Sequence, residues 1–358
     1  MRLVGKNILL ISPESWDHIS VSKHHYATHL AKRGNRVVFL NPPGNSWNII
    51  NTNNDNIRVV NYPGFWKGQR FLPFWLRKKN QSNIYEKIEA IAGLHFDVVW
   101  SFDNSVFYQM DVFPSRVLTI SHIVDLNMDY EMEIAAKTAQ VCFCTTTFIQ
   151  QRLETYNSRV FLINHGYNVS MQSVDFIPQR KSEGTVAVGY AGNLDIQYLD
   201  WELIKSVSSE YQEVDFYFAG SLKSEGIQSY FNGMPNMHYV GVLKSDQVQS
   251  FYSEMDILII AYKADIFKEQ LANPHKVLEY LYSGKPIVST FTQEYQNKEL
   301  LFMSNRNVEW PSKFQYVLRN LDKCSSKEMV DQRKNYALDH TYDKQIDRIE
   351  KILASLPS

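Results

Sequence analysis

The sequence predicts an α/β protein built of two similar halves, each an open and largely parallel sheet covered by helices. Three observations carry that prediction. Short apolar runs with strand character alternate with helical segments from Asn7 to Ile163; the alternation lapses over a polar stretch from Ser170 to Gly184; and it restarts at Val186 and continues to about residue 300. With 358 residues, 44% of them apolar, the chain can bury two cores of ordinary domain size.

The elements follow in order. Asn7–Ser12 reads as a buried parallel strand, His24–Arg33 as a helix closed by Gly34, and Arg36–Leu40 as a second strand ended by Pro42, Pro43 and Gly44, which together make a βαβ unit. Further apolar strands are expected at Ile57–Val60, Val98–Phe102, Arg116–Ile120, Val141–Thr145 and Val160–Ile163. The polar run around Pro178 is the expected linker, residues 169–184, between a first Rossmann-like domain at 1–168 and a second at 185–337. The second half opens with the strand Val186–Gly192 and the helix Trp201–Tyr211. The strands Asp215–Gly220 and Met237–Gly241, the helix Ser245–Ser253 and the strand Ile257–Ala261 follow. Asn273 and Pro274 then form a turn, Val277–Tyr282 a helix buried on one side, and Ile287–Ser289 a strand after Gly284 and Pro286. Charged helices at roughly 311–321 and 326–353 close the chain.

Composition removes several classes of function. Lys and Arg number 37 against 38 Asp and Glu, so no global field draws nucleic acid. The three cysteines, Cys142, Cys144 and Cys324, make no even disulfide framework and no metal-ligand spacing, and a reduced cytoplasm is expected. No apolar run suits a signal peptide or a membrane span. There is no Gly-x-Ser-x-Gly elbow and no zinc spacing, so neither a serine hydrolase nor a metalloenzyme is expected. Gly189 and Gly192 follow a strand, but the third glycine and the acidic residue of a dinucleotide fingerprint are missing, which weighs against an NAD enzyme.

The chemistry concentrates between Asn273 and Thr290. A helix that starts after Asn273-Pro274 turns free N–H groups toward the preceding loop, a terminus suited to phosphate; Lys276 adds a full positive charge, and Glu279 can accept two ribose hydroxyls. Asn273-Pro274, Lys276, Glu279-Tyr280 and Gly284-Lys285-Pro286 resemble the donor segment of GT-B glycosyltransferases, the large retaining family with a Glu, seven residues and a second Glu. Glu279 matches the second glutamate, while the first falls on Leu271. The family also brings an Arg and a Lys onto the diphosphate after its first glycine loop, and from Asn193 to Ile204 this chain has neither, so the charge must come from Lys276 or from Lys263, which is otherwise a solvated loop lysine.

The resemblance implies a GT-B architecture, two Rossmann-like domains facing across a cleft, with a final helix at about 338–358 returning to the first domain. It implies a transfer of sugar from a nucleoside diphosphate sugar to a hydroxyl of a surface-polysaccharide or lipid-linked glycan, with retention, with no metal and no cofactor beyond the donor. Sugar transferases of bacterial capsule or exopolysaccharide clusters share the pattern. The donor residues it implies are Gly192, Asn193, Gly220, Gly241, Val242, Lys263, Asn273, Pro274, His275, Lys276, Val277 and Glu279, though strand-ending glycines such as Gly220 and Gly241 also serve as plain turns. An epimerase on the same fold would keep the nucleotide pocket and lack an acceptor surface; a non-catalytic partner would fit the loss of the glutamate at Leu271.

In the first half, His24 and His25 open a helix after the first strand, Asp103 follows another, and His122 and Asp125 follow a third, all toward the carboxyl edge where α/β sheets bind ligands. His24, His25 and Asp103 are expected on the acceptor side and His122 and Asp125, with Lys276, at the chemistry; Asp125 equally reads as the cap of a helix starting near Asn127. Asn164-His165-Gly166 resembles the family's hinge turn. Finally, residues 63–79 interleave aromatics with cations, either as a peripheral contact with the inner face of the plasma membrane, as a polyprenyl-linked acceptor would need, or as rings packed on the sheet.

Overall fold

In the computed structural model of the chain, which describes residues 1–126, 131–169 and 184–356, the opening βαβ unit comprises β1 (Asn7–Ile11), α1 (Ser22–Lys32) and β2 (Arg36–Leu40). Gly34, left-handed at φ 81°, makes the turn that lets the helix end and the second strand begin. Next come β3 (Asn48–Asn51), β4 (Ile57–Asn61), α2 (Phe74–Ala92), β5 (Val98–Ser101), β6 (Leu118–Ile123), α3 (Met132–Thr138), β7 (Val141–Cys144), α4 (Thr147–Glu154) and β8 (Val160–Leu162). The sheet runs β3-β4-β2-β1-β5-β6-β7-β8, parallel throughout except that β3 is antiparallel to β4. β3 is an exposed edge whose sequence, Asn-Ile-Ile-Asn, carries no alternation to announce it.

The second unit holds β9 (Val186–Ala191), α5 (Trp201–Glu210), β10 (Val214–Ala219), α6 (Glu225–Gly233), β11 (Met237–Gly241), α7 (Val248–Ser253), β12 (Ile257–Ile260), α8 (Lys276–Ser283), β13 (Ile287–Ser289), β14 (Phe302–Met303), α9 (Trp310–Arg319), α10 (Leu321–Cys324) and α11 (Lys327–Asp339). Its strands are all parallel in the order β11-β10-β9-β12-β13-β14. This is the doubly wound arrangement, with the first strand inside and successive strands added to one side and then the other. Loops after β9 and β12 therefore diverge and open a crevice at the carboxyl edge. In the first unit the same switch falls between β1 and β5.

The chain divides into Met1–Gly166 with Tyr342–Ser358, and Tyr167–Thr341. The expected linker at 169–184 lies almost wholly outside the described residues. The single helix expected at 326–353 is two: α11 ends at Asp339, and α12 (Tyr342–Ser355) joins the first unit. His340 and Thr341 break it because their backbone pairs with the chain entering the second unit, Tyr167 N–H donating to the His340 carbonyl at 2.8 Å. α12 buries Tyr342, Ile346, Ile349 and Leu353 in the core formed by β1, β2 and α1. Gly166 permits this close packing, since a Cβ there would lie 2.4 Å from the Tyr342 ring, and the His165 carbonyl accepts from Gln345 at 2.9 Å.

Candidate active site

The switch point of the second unit is built from backbone and aromatic rings. Gly192 follows β9 and Gly220 follows β10, and the two turns touch: a Cβ on Gly220 would lie 1.7 Å from the Gly192 carbonyl oxygen, so no side chain fits. Gly192 N–H donates to Ala219 and Gly220 N–H to Gly241, at 2.9 and 2.8 Å. Asn193 Oδ1 braces the turn, accepting from Asp195 N–H and Ser221 Oγ at 3.0 and 3.1 Å. Tyr239 donates its hydroxyl to the Gly220 carbonyl at 2.9 Å. Beyond Gly241 the surface is open, with Val242 exposed.

Into this turn reaches Lys276, the first residue of α8. Its ammonium sits 3.8 Å from the Tyr190 ring centre and 5.3 Å from that of Tyr262, and a Cβ on Gly192 would be 2.7 Å from Nζ. Tyr190 and Tyr262 are the penultimate residue of β9 and a residue just past β12, so the strands flanking the switch supply the two faces on which the cation rests. Their hydroxyls lie 3.4 Å apart, and Tyr280 Oη stands 3.4 Å from Ala191 N. Three residues after Lys276, Glu279 is one-third exposed; Tyr252 donates to its Oε2 at 3.1 Å and His275 Nδ1 stands 3.8 Å from Oε1. The carboxylate is thus fixed in direction on one oxygen, with the side chain still one-third exposed. Asn273 and Val277 are buried, Pro274 and His275 half-buried. Leu271 is core, 5% exposed, so no polar group stands where the family has its first glutamate. Lys263 is half-buried past β12, its backbone N–H donating to Tyr198 at 2.8 Å.

In the first unit the carboxyl edge holds a cation that the sequence reading passed over. Lys23 is 3% exposed and pairs with Glu14 at 2.8 Å across the loop between β1 and α1. Asp103, after β5, is buried and accepts from Ser105 N–H and Oγ at 2.7 and 2.6 Å; burial raises its pKa and these bonds partly restore it. His24 is corrected as an acceptor contact: its Nδ1 accepts the Val21 N–H at 3.2 Å and its Nε2–H donates to the Ser15 carbonyl at 2.9 Å. Both nitrogens are engaged in closing the loop, and burial lowers the pKa. His25 packs on Tyr342 with ring centres 4.9 Å apart.

His122 lies inside β6 and not after it, because β6 runs on to Ile123. It is buried in a box of Phe102, Tyr26, Phe143 and Trp100, which pushes its pKa down to about 3. Trp100 donates to its Nδ1 at 3.4 Å, which leaves the proton on Nε2, and among the described residues Nε2 has no partner. Asp125 is exposed beyond the strand, and its expected role as cap of a helix near Asn127 lies outside the described residues.

No family model matches the sequence, and no curated protein matches it. Solved structures do. Sucrose-phosphate synthase from Thermosynechococcus elongatus superposes with a TM-score of 0.71 at 12% identity, over 98% of this chain and 98% of that one. A glycosyltransferase from Rickettsia africae gives 0.70 at 11%, over 98% and 99%. Anabaena HepE, solved with UDP-glucose, gives 0.67 at 11%, over 98% and 100%. The chain therefore has the two-domain α/β GT-B fold of such glycosyltransferases.

Proposed function

We propose that the chain is a glycosyltransferase that takes a sugar from a nucleoside diphosphate donor and delivers it, with retention, to a hydroxyl of a surface-polysaccharide or lipid-linked glycan. The observation that carries this reading is the placement of Lys276. Its ammonium is held against the Gly192 turn by two tyrosine faces, where a diphosphate would meet it. The departing diphosphate gains negative charge as the glycosidic bond breaks, and a cation already fixed in place stabilises that charge without reorganising. Glu279, braced by Tyr252 and one-third exposed, offers its carboxylate to ribose hydroxyls. Past the Gly241 turn, the exposed surface at Val242 leaves room for the base. No step of this reading asks for a metal. On the first unit, Asp125, exposed past β6, is a carboxylate suited to orienting a hydroxyl, while His122 and Asp103, 1% and 4% exposed, lie beneath the surface.

Thermal unfolding against a panel of nucleoside diphosphates and their sugars tests the donor half. A ligand at 100 times its dissociation constant adds about 2.7 kcal/mol. The shift should appear for one nucleotide and vanish in Lys276→Ala and Glu279→Ala. No shift with any nucleotide overturns the reading. Product formed from the donor without any acceptor would replace it with an epimerase.

A further inference from the structure

The segment from Pro63 to Tyr85 carries five cations, Lys67, Arg70, Arg77, Lys78 and Lys79, and no carboxylate, in a chain whose net charge is -1. Along it, large aromatic side chains stand in solvent: Phe71 is 86% exposed, Trp75 64%, Trp66 51% and Phe74 49%. They do not pack on the sheet, so the packing alternative fails for these four. Nor are they a frayed end. Phe65 beneath them packs on Phe107 with ring centres 5.0 Å apart, Arg77 donates to the Tyr108 hydroxyl at 3.3 Å, and α2 buries Tyr85, Ile88 and Ala92. The aromatic tips therefore stand on a fixed base. Beside the patch Asp111 meets Lys78 at 2.6 Å, where both are half-exposed.

We infer that this face, Trp66 to Lys79, docks the first unit onto an anionic lipid bilayer. The complementarity is of charge and depth together. Tryptophan and phenylalanine rings settle at the headgroup boundary, where apolar bodies leave water. The ammonium groups of Lys67 and Lys79, both exposed along the same segment, meet lipid phosphates, each adding to the attraction within a Debye length. Exposed aromatics of this size, left in water, would otherwise be a standing liability for association. The inference uses nothing from the donor site and goes beyond the transfer reading.

Flotation of the full chain with vesicles of phosphatidylcholine alone, or with added phosphatidylglycerol, tests it. Binding should require phosphatidylglycerol, fall in high salt, and blue-shift the tryptophan emission. Reversing two charges in Lys67→Glu with Lys79→Glu should weaken binding more than about tenfold. Phe71→Ser with Trp75→Ser should weaken it at least as much and leave the unfolding midpoint and the nucleotide-induced thermal shift as in the parent. These last controls separate a failure of the surface from a failure of the donor site. Absence of flotation with anionic vesicles overturns the inference. So does flotation untouched by both double variants, or a concentration-dependent self-association that the aromatic variant abolishes while vesicles are ignored, which would assign the face to a second copy of the chain.

Discussion

Lys276 is a single residue on which several physical effects converge. Its ammonium lies over Tyr190, an attraction of about 0.5–2 kcal/mol that costs no ligand, so the side chain is already extended toward the Gly192 turn before any anion arrives. Losing a preorganised charge of this kind costs about 10²–10³-fold in turnover. Lys276→Gln should fall in that range, and Tyr190→Leu, which keeps the lysine but removes its seat, should fall between the parent and Lys276→Gln; steady-state rates with the identified donor check the order. Lys276 and Glu279 were legible because they sit within a whole segment, Asn273-Pro274 through Gly284-Lys285-Pro286, that resembles the donor segment of GT-B glycosyltransferases; either residue alone reads as an ordinary solvated helix charge. Tyr190 and Tyr262 were not: one lies in an apolar strand and the other just past one, 1% and 5% exposed, and only coordinates reveal which way their faces turn. The Lys23–Glu14 pair escaped for the opposite reason, since a lysine at a helix start reads as solvated. His122 gives a second prediction at this scale. Folded, it stays neutral down to about pH 3, whereas unfolded it titrates near 6.5. Between those values the unfolded chain binds more protons, so stability falls as pH falls below about 6.5, by up to about 1.4 kcal/mol per pH unit for a group this buried. His24, lowered in the same direction, adds to the slope. His122→Phe should flatten the dependence between pH 6.5 and 5, read as denaturant midpoints of parent and variant; an unchanged slope would mean that the imidazole is not held neutral.

Among the elements, the two glycine turns at the switch point separate two costs that look alike in sequence. Gly220 follows β10, Gly241 ends β11, and both have positive φ, 140° and 92°. At Gly241 a Cβ meets nothing within 4 Å, so Gly241→Ala should cost about 1–2 kcal/mol of backbone strain alone. At Gly220 the Cβ would overlap the Gly192 carbonyl, and Gly220→Ala must also push β9 and β10 apart at the site, for a cost of about 3 kcal/mol or more and loss of the nucleotide shift. Denaturation of each variant with and without nucleotide distinguishes the two. Most strands and helices were readable because parallel strands buried on both faces form unbroken apolar runs bounded by turn residues. What failed was whatever lacks that signature. β3 is an exposed edge of four residues, β6 continues through Ser121 and His122 because its neighbours bury them, and α11 and α12 share one helical pattern that tertiary pairing at Thr341 interrupts.

At the scale of the whole molecule, that interruption decides which piece of chain can stand alone. The second unit is continuous from Tyr167 to Thr341, and its sheet and core are made from its own residues. The first unit is not continuous: Met1–Gly166 supplies the sheet, but one face is covered by α12. Tyr342, Ile346, Ile349 and Leu353 are each 6% exposed or less. Burying side chains of this size is worth about 1.5–3 kcal/mol apiece, so four of them contribute about 6–12 kcal/mol, as much as the net stability of a whole domain. The polar latch beside them, Arg33 with Asp343 and Asp347 and His29 with Asp343, is half-exposed and adds at most about 1 kcal/mol per pair. Hydrophobic cover outweighs charge here. A fragment of residues 184–341 should therefore unfold cooperatively, whereas a fragment of 1–166 should not until a peptide of 342–356 is added, which should restore a thermal transition. Circular dichroism melts of the three samples check this. In the full chain, Ile346→Ala with Ile349→Ala should cost about 4–10 kcal/mol and unfold the first unit while the second keeps its own transition. A 1–166 fragment that melts cooperatively alone would mean that the core under α12 closes without it, and the helix would then be an accessory.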